Sequence, residues 1–181
     1  MALLLTTKPS AAITKPLPGA VALPNGVKLV LPFAAGSKIR ILSGYGPAMG
    51  SSLHQDTNKT NKANDHYALD LVFDNKPNSG KGEPVLAPLA GKVVRAGWAT
   101  QGWANYGLRV ILEHDLGDGH KYHSIYCHLN AIAAGLKEGS TVAVGSKLGE
   151  LGQSCQGQLS CSSFSTPHLH WALHRDSLVG G

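Results

Sequence analysis

A mainly antiparallel β fold is what this sequence predicts, and three observations predict it. Short runs in which Val, Ile and Thr recur are separated by turn residues. Glycine is frequent, at 22 of 181 residues. No segment sustains a 3.6-residue apolar period beyond a few turns. Hydrophobic residues make up 43% of the chain and charged residues 15%. That balance is globular, and the length suits one domain with a sizeable core.

Taken in order, residues 1–26 hold Pro9, Pro16, Pro18 and Pro24, with Pro32 just beyond. They read as an extended, proline-rich arm ahead of a domain spanning 27–181. Strands are expected at Val27 to Phe33 and Lys38 to Ser43, the second ending at Gly44-Tyr-Gly-Pro47. Met49 to Asp65 is polar and reads as a long loop. Tyr67 to Phe73, Pro84 to Leu86 and Lys92 to Ala96 follow as strands. A Gly- and Trp-containing loop then leads to Leu108 to His114. The turn Asp115-Leu-Gly-Asp-Gly119 returns the chain along His120 to Leu129, a hairpin by pattern and by turn chemistry. Thr141 to Val144 and Lys147 to Leu151 are further short strands. The last is the stretch around Pro167-His-Leu-His-Trp171.

That last stretch carries chemistry. Residues two apart on a strand share a face, so His168 and His170 look into one space while Leu169, Trp171 and Leu173 point into a core. Two imidazoles on one rigid face suit a metal site, or a ligand beside an acid–base histidine. Two other places stand out. One is His66-Tyr-Ala-Leu-Asp70, with His54 upstream. The other is Tyr126-Cys-His128-Leu, where alternation groups Ile125, Cys127 and Leu129 on an apolar face and turns Tyr126 and His128 the other way. Histidine, aspartate and a second histidine can give three protein ligands to a catalytic zinc, which lowers the pKa of its water and polarises a carbonyl. Two histidines left over can move protons and stabilise an intermediate.

The three cysteines divide unevenly. Cys155 and Cys161 share one Gly/Ser-rich loop before the final histidines, where a disulfide would staple the loop and imply an oxidising compartment; a zinc pair is the alternative. Cys127 reads as a small buried hydrophobe. His114, His120 and His123 flank the hairpin turn and are expected to face solvent. His174 shares parity with His170 but lies too far along the strand to share a metal. Trp98, Trp103 and Tyr106 either wall a groove or pack their loop.

In this order the motifs resemble the lysostaphin/LytM-type zinc metallopeptidases, a peptidoglycan endopeptidase family. The resemblance spans Tyr45 to Arg175. It rests on His66-Tyr-Ala-Leu-Asp70, Gly82-Glu-Pro-Val-Leu-Ala-Pro-Leu-Ala-Gly-Lys-Val93, Tyr126-Cys-His-Leu129 and Pro167-His-Leu-His-Trp171. Asn105-Tyr-Gly107, Lys137 to Val142 and Gly145 to Gly152 are similar to the family's connecting segments. The resemblance implies an antiparallel sheet core with long loops forming a substrate groove. It implies one zinc per chain, with Asp70 and His170 as ligands, His128 and His168 as catalytic histidines, and Tyr45 beside the substrate oxyanion.

The first histidine ligand is open between His54 and His66. The family's HxGxD carries glycine where Ala68 stands here. Ligands four apart on an extended strand would be about 13 Å from each other, so the chain must bend between them, and alanine eases that less than glycine. Relatives reading Tyr-Ala-x-Asp take the ligand from farther upstream, so the resemblance favours His54.

The implied function is zinc-dependent hydrolysis of a peptide bond in peptidoglycan, either cross-bridge or stem peptide, by a monomer. An inactive relative serving as a wall-binding or activator module is the alternative. A formal charge of +5 favours anionic surfaces such as cell wall. The basic residues are scattered without an aromatic-interleaved run, which argues against nucleic acid. No transmembrane span is read, and Met1 to Leu5 is too short an apolar run for a signal peptide. The implied location is nonetheless secreted, periplasmic or wall-associated. Pro84 to Val93, with Gly139 to Gly152, also resembles lipoyl- and biotin-carrier domains, but no lysine sits at the tight hairpin such a carrier needs, and a carrier has no use for these histidines.

Overall fold

The computed structural model describes residues 23–44, 54, 67–100, 102–164 and 166–177. Ten strands form two sheets: β1 (Ile39–Ser43), β2 (Leu69–Phe73), β3 (Pro84–Leu86), β4 (Gly91–Trp98), β5 (Leu108–Asp115), β6 (Lys121–Cys127), β7 (Ala131–Ile132), β8 (Thr141–Val142), β9 (Lys147–Glu150) and β10 (Leu169–Arg175). The larger sheet runs β1-β2-β10-β6-β5-β4-β8 and the smaller β3-β9-β7. Among the described residues, each pairing of these strands is antiparallel. The expected class is therefore the observed one. No helix among the described residues is long and apolar enough to cross a membrane.

The two faces of the large sheet have different jobs. One packs on the small sheet: Leu71, Leu112, Tyr126, Leu169 and Trp171 meet Val85, Leu148 and Leu151 in the main core. The opposite face carries a smaller cluster of Ala68, Ile111, Ile125, Cys127 and Ala172, covered by Tyr106, Ala99 and Trp103 from the loop after β4. Alternation along β10 puts His170 on this second face and Leu169 and Trp171 in the core.

Three expectations need correction. Residues 27–33 form no strand: Pro32 has no N–H to give a ladder, and Leu29, Val30 and Leu31 are exposed. The segment is anchored at its end, where buried Phe33 lies edge-on to Phe73 at 5.0 Å and the Pro32 carbonyl accepts from Leu86 N–H at 2.9 Å. The faces of β6 are reversed from the reading above. Tyr126 lies in the main core, and Ile125 and Cys127 share the face of His170. His128 escapes the alternation because its backbone is left-handed, with φ 61°. That twist returns Leu129 to the core.

The third concerns the hairpin histidines. His120 is exposed, ion-paired with Asp176, but His114 and His123 are buried. His114 Nδ1 donates to the Ala90 carbonyl at 2.7 Å, so its Nε2 must accept from the Ser124 hydroxyl, also at 2.7 Å. Ser124 in turn accepts from Tyr126 at 2.8 Å. This chain of three side chains satisfies every polar atom it buries, which is what allows it inside a core. Burial holds His114 below its ordinary value, the Ala90 carbonyl pulling weakly the other way.

Because the folded form holds that ring neutral, protons favour the unfolded chain as pH drops below 6.5, the unfolded value. His114→Gln should cost about 1–3 kcal/mol at pH 8, where the network is intact. The gap to wild type should narrow as pH falls through the folded-state value of His114. Denaturant titrations from pH 8 to pH 5 measure this, and a pH-independent gap contradicts it.

Candidate metal centre and active site

The site begins with a register. Asp70 of β2 pairs with His170 of β10, and His170 pairs with Cys127 at the end of β6. Paired residues on antiparallel strands project to the same side. Asp70 and His170 therefore meet, with His170 Nδ1 3.1 Å from Asp70 Oδ1. His54 joins them from the long connection between β1 and β2, its Nε2 3.3 Å from the same oxygen. One ligand atom from each of the three lies within 4.8 Å of the others, and all three residues are buried. Donors about 2.1 Å from a common tetrahedral ion stand about 3.4 Å apart, so the two measured separations fit a metal.

Backbone carbonyls decide which nitrogens face the site. His54 Nδ1 donates to Gly44 O at 2.8 Å, His128 Nδ1 to Ser154 O at 2.9 Å, and His168 Nδ1 to Thr166 O at 2.8 Å. A carbonyl only accepts, so each ring holds its proton on Nδ1 and offers Nε2. His168 Nε2 lies 3.7 Å from Asp70 Oδ1. The ring of His128 stands 4.8 Å from His168 and 5.7 Å from His170. Five side chains thus converge on one small volume.

Electrostatics follow from that crowding. Burial by itself would raise Asp70, but hydrogen bonds from His170 and His54 outweigh it and hold the carboxyl far below its ordinary range. His54 loses by burial and gains more from Asp70 and the Gly44 carbonyl, ending above its ordinary value. His128 is pushed well down, first by burial and then by His168 and His170. His168 is lowered as well, chiefly by burial, with Asp70 opposing. The last two are therefore neutral bases near pH 7, while Asp70 stays an anion.

Of the residues singled out from sequence, His54, Asp70, His128, His168 and His170 are brought together. Tyr45 and His66 lie outside the described residues. Ala68 is fully buried in the second apolar cluster. Tyr106, left open between wall and packing, packs its ring 5.1 Å from His170 and 5.2 Å from Trp103. Sequence reading gave no role to Phe164, whose ring is 4.5 Å from His128 and 5.3 Å from His168. It also missed the carbonyls of Gly44, Ser154 and Thr166, which no residue type announces. Cys155 and Cys161 form a disulfide with Cα atoms 5.3 Å apart. It closes the loop that follows Ser154, and Gln153 braces the same loop by donating to Cys161 O and Phe164 O. Cys127 is buried outside the disulfide.

Two imidazoles and a carboxylate meeting on a sheet face, with two neutral imidazoles beside them, define a candidate catalytic metal centre of the hydrolytic kind. The chain belongs to peptidase family M23, whose model matches residues 65–179. It is 32% identical over 96 residues to the L-Ala–D-Glu endopeptidase of Bacillus subtilis, covering 53% of this chain and 27% of that protein. The solution structure of lysostaphin, from Staphylococcus simulans, matches at 27% identity and TM-score 0.51, covering 77% of this chain and 45% of that one. A zinc-containing peptidase from Vibrio cholerae shares the fold at 23% identity and TM-score 0.51, covering 81% and 36%. This chain spans less than half the length of each of these relatives.

One glycine controls the Ser154 tether. Gly107 has φ 65°, and a Cβ there would collide with the Ser154 carbonyl. Gly107→Ala should cost about 2 kcal/mol or more and release His128. Thermal unfolding reads the first effect. Loss of a slowly exchanging His128 Nδ1 proton in NMR spectra reads the second.

Proposed function

We propose that this chain is a zinc-dependent endopeptidase that cuts a peptide bond of bacterial peptidoglycan. The convergence of His54, Asp70 and His170 beside His128 and His168 is the observation that carries this reading. Membership of family M23 supports it, as does the named activity of the Bacillus relative on an L-Ala–D-Glu bond. His54, Asp70 and His170 would hold the metal, through Nε2, Oδ1 and Nδ1. Asp70 supplies the negative charge that offsets part of the ion's own. When bound, zinc makes a water more acidic and polarises a substrate carbonyl.

The remaining residues supply proton transfer. His168 and His128 each hold a proton on Nδ1 through a carbonyl, so Nε2 is the basic atom facing the site. One Nε2 takes a proton as attack begins. The same ring, now charged, can donate it to the departing amine or to the developing oxyanion. Phe164 and Tyr106 keep the histidine rings in place and limit water around them. Tyr45 is assigned to the oxyanion side of the substrate, and His66 is given no metal-binding role. The active unit is taken as 27–181, following an N-terminal arm, a monomer working outside the cytoplasm on a wall whose negative charge suits the chain's net +5.

Purified protein should contain one zinc per chain and solubilise peptidoglycan. Removing the metal with a chelator should abolish activity, and zinc should restore it. His54→Ala and His170→Ala should lose both zinc and turnover, whereas His66→Ala should keep both. His128→Ala and His168→Ala should keep zinc while kcat falls about 100-fold or more. Tight wall binding without zinc or hydrolysis would overturn the reading, and near-wild-type turnover in His128→Ala or His168→Ala would remove the role given to that residue. Mass analysis of digested walls with different cross-bridges identifies the bond.

A further inference from the structure

The consecutive residues Gly152, Gln153 and Ser154 touch both of the histidines given proton transfer. Gly152 takes the backbone of His168, whose N–H donates to its carbonyl at 3.0 Å. Ser154 takes His128 at two points. Its N–H donates to the His128 carbonyl at 3.3 Å, and its own carbonyl accepts the His128 Nδ1 proton at 2.9 Å. The Ser154 hydroxyl meanwhile accepts from Leu108 N–H at 2.9 Å, which pins the residue to the start of β5. A Cβ on Gly152 would collide with the His128 carbonyl and with Asn130 N, so the segment lies directly against the turn after β6. Gln153 stands between these two sets of contacts.

The backbone and the side chain of Gln153 hold the same stretch of chain. Its carbonyl accepts from Cys161 N–H at 2.8 Å, and it pairs with Ser160 in an isolated parallel bridge. Its amide Nε2 donates to Cys161 O at 3.3 Å and also to Phe164 O. An amide nitrogen carries two protons and a carbonyl only accepts, so this one group is matched to both partners. Cys161 is already held by its disulfide to Cys155. Phe164 is not, because it lies beyond the ring that the disulfide closes. What the Gln153 side chain adds is therefore the fixing of Phe164.

Phe164 is where that restraint meets the chemistry. Its ring stands 4.5 Å from His128 and 5.3 Å from His168, and those two rings are 4.8 Å apart. Shortly after it comes Thr166, whose carbonyl takes the His168 Nδ1 proton at 2.8 Å. A Phe164 free to shift would loosen both imidazoles together.

Resting on the peptidase reading above, we infer that Gln153 is a positioning residue for the reaction: acting through Phe164, it sets the two proton-transfer histidines as one unit. It touches neither the metal ligands nor the reacting atoms, so its effect belongs to turnover and not to binding. Misplacing reacting groups by about 1 Å costs about 100-fold in rate. The direct tethers to Ser154 and Thr166 survive without Gln153, so a smaller loss is expected, about tenfold in kcat.

Two variants of the full chain test this. Gln153→Met keeps length and volume and removes both donors, and Gln153→Glu keeps the shape while setting a carboxylate against two carbonyl oxygens. In each, kcat on solubilised wall fragments should fall about tenfold, with KM and zinc content unchanged. Phe164→Leu should fall by a similar factor. Combining it with Gln153→Met should lower kcat no further, because the same route is then removed twice. In NMR spectra, the Nδ1 protons of His128 and His168 should both exchange faster in Gln153→Met than in wild type. A residue that only stabilised its loop would lower the unfolding temperature and leave kcat and both proton signals as they are. That outcome overturns the inference, and so does a fully additive loss in the double variant. The proton signals are read without hydrolysis, so they decide the positioning role separately from the peptidase reading.

Discussion

Burying Asp70 is the constraint on which the rest of the site depends. A carboxylate taken out of water is tolerated only where its charge and lone pairs are answered. Here the answer is a set of imidazoles: His170 at 3.1 Å, His54 at 3.3 Å and His168 at 3.7 Å from one oxygen. The first of these comes from the pairing of β2 with β10, which places Asp70 opposite His170. A slip of one residue would send one of these side chains into the core and a core residue into the site. The core on the other face resists such a slip, because Leu71, Leu169 and Trp171 have a single register in which all three are buried.

Orientation is a separate matter from position, and backbone carbonyls supply it. Gly44, Ser154 and Thr166 each take the Nδ1 proton of one histidine, which leaves the opposite nitrogen pointing inward. These carbonyls come from irregular segments, so the loops around the sheet do chemical work as well as covering it. The disulfide between Cys155 and Cys161 closes the loop that begins next to Ser154, and Gly107 lets Ser154 approach β5. Loops that hold ligand-orienting groups must be stiff, and a short closed loop has little freedom left to lose.

The large sheet divides stability from function by face. Its core face packs on the small sheet and contains the satisfied His114–Ser124–Tyr126 network. The other carries the metal-type cluster. One departure from regular strand geometry serves that second face. The left-handed backbone of His128 turns its ring to His170 at the end of β6. This would not arise from alternation alone.

The sequence by itself determined the class of fold, most strands and the residues able to ligate. Period-2 alternation and Gly-containing turns are local properties, readable one segment at a time. The pair His168 and His170 was legible for the same reason, since residues two apart on a strand must share a face. Which face of β6 met the core was not legible, because Tyr126 and Ile125 are both apolar enough to be buried and the partner sheet decides between them. His114 and His123 looked like surface residues by position near a turn, yet one is satisfied by carbonyl and hydroxyl partners distant in sequence. The arrival of His54 beside Asp70, across a connection of more than ten residues, is also a tertiary result. So are the carbonyl tethers. Each depends on atoms that carry no signature in residue type, or on a pairing register that appears only when strands far apart in the chain lie side by side.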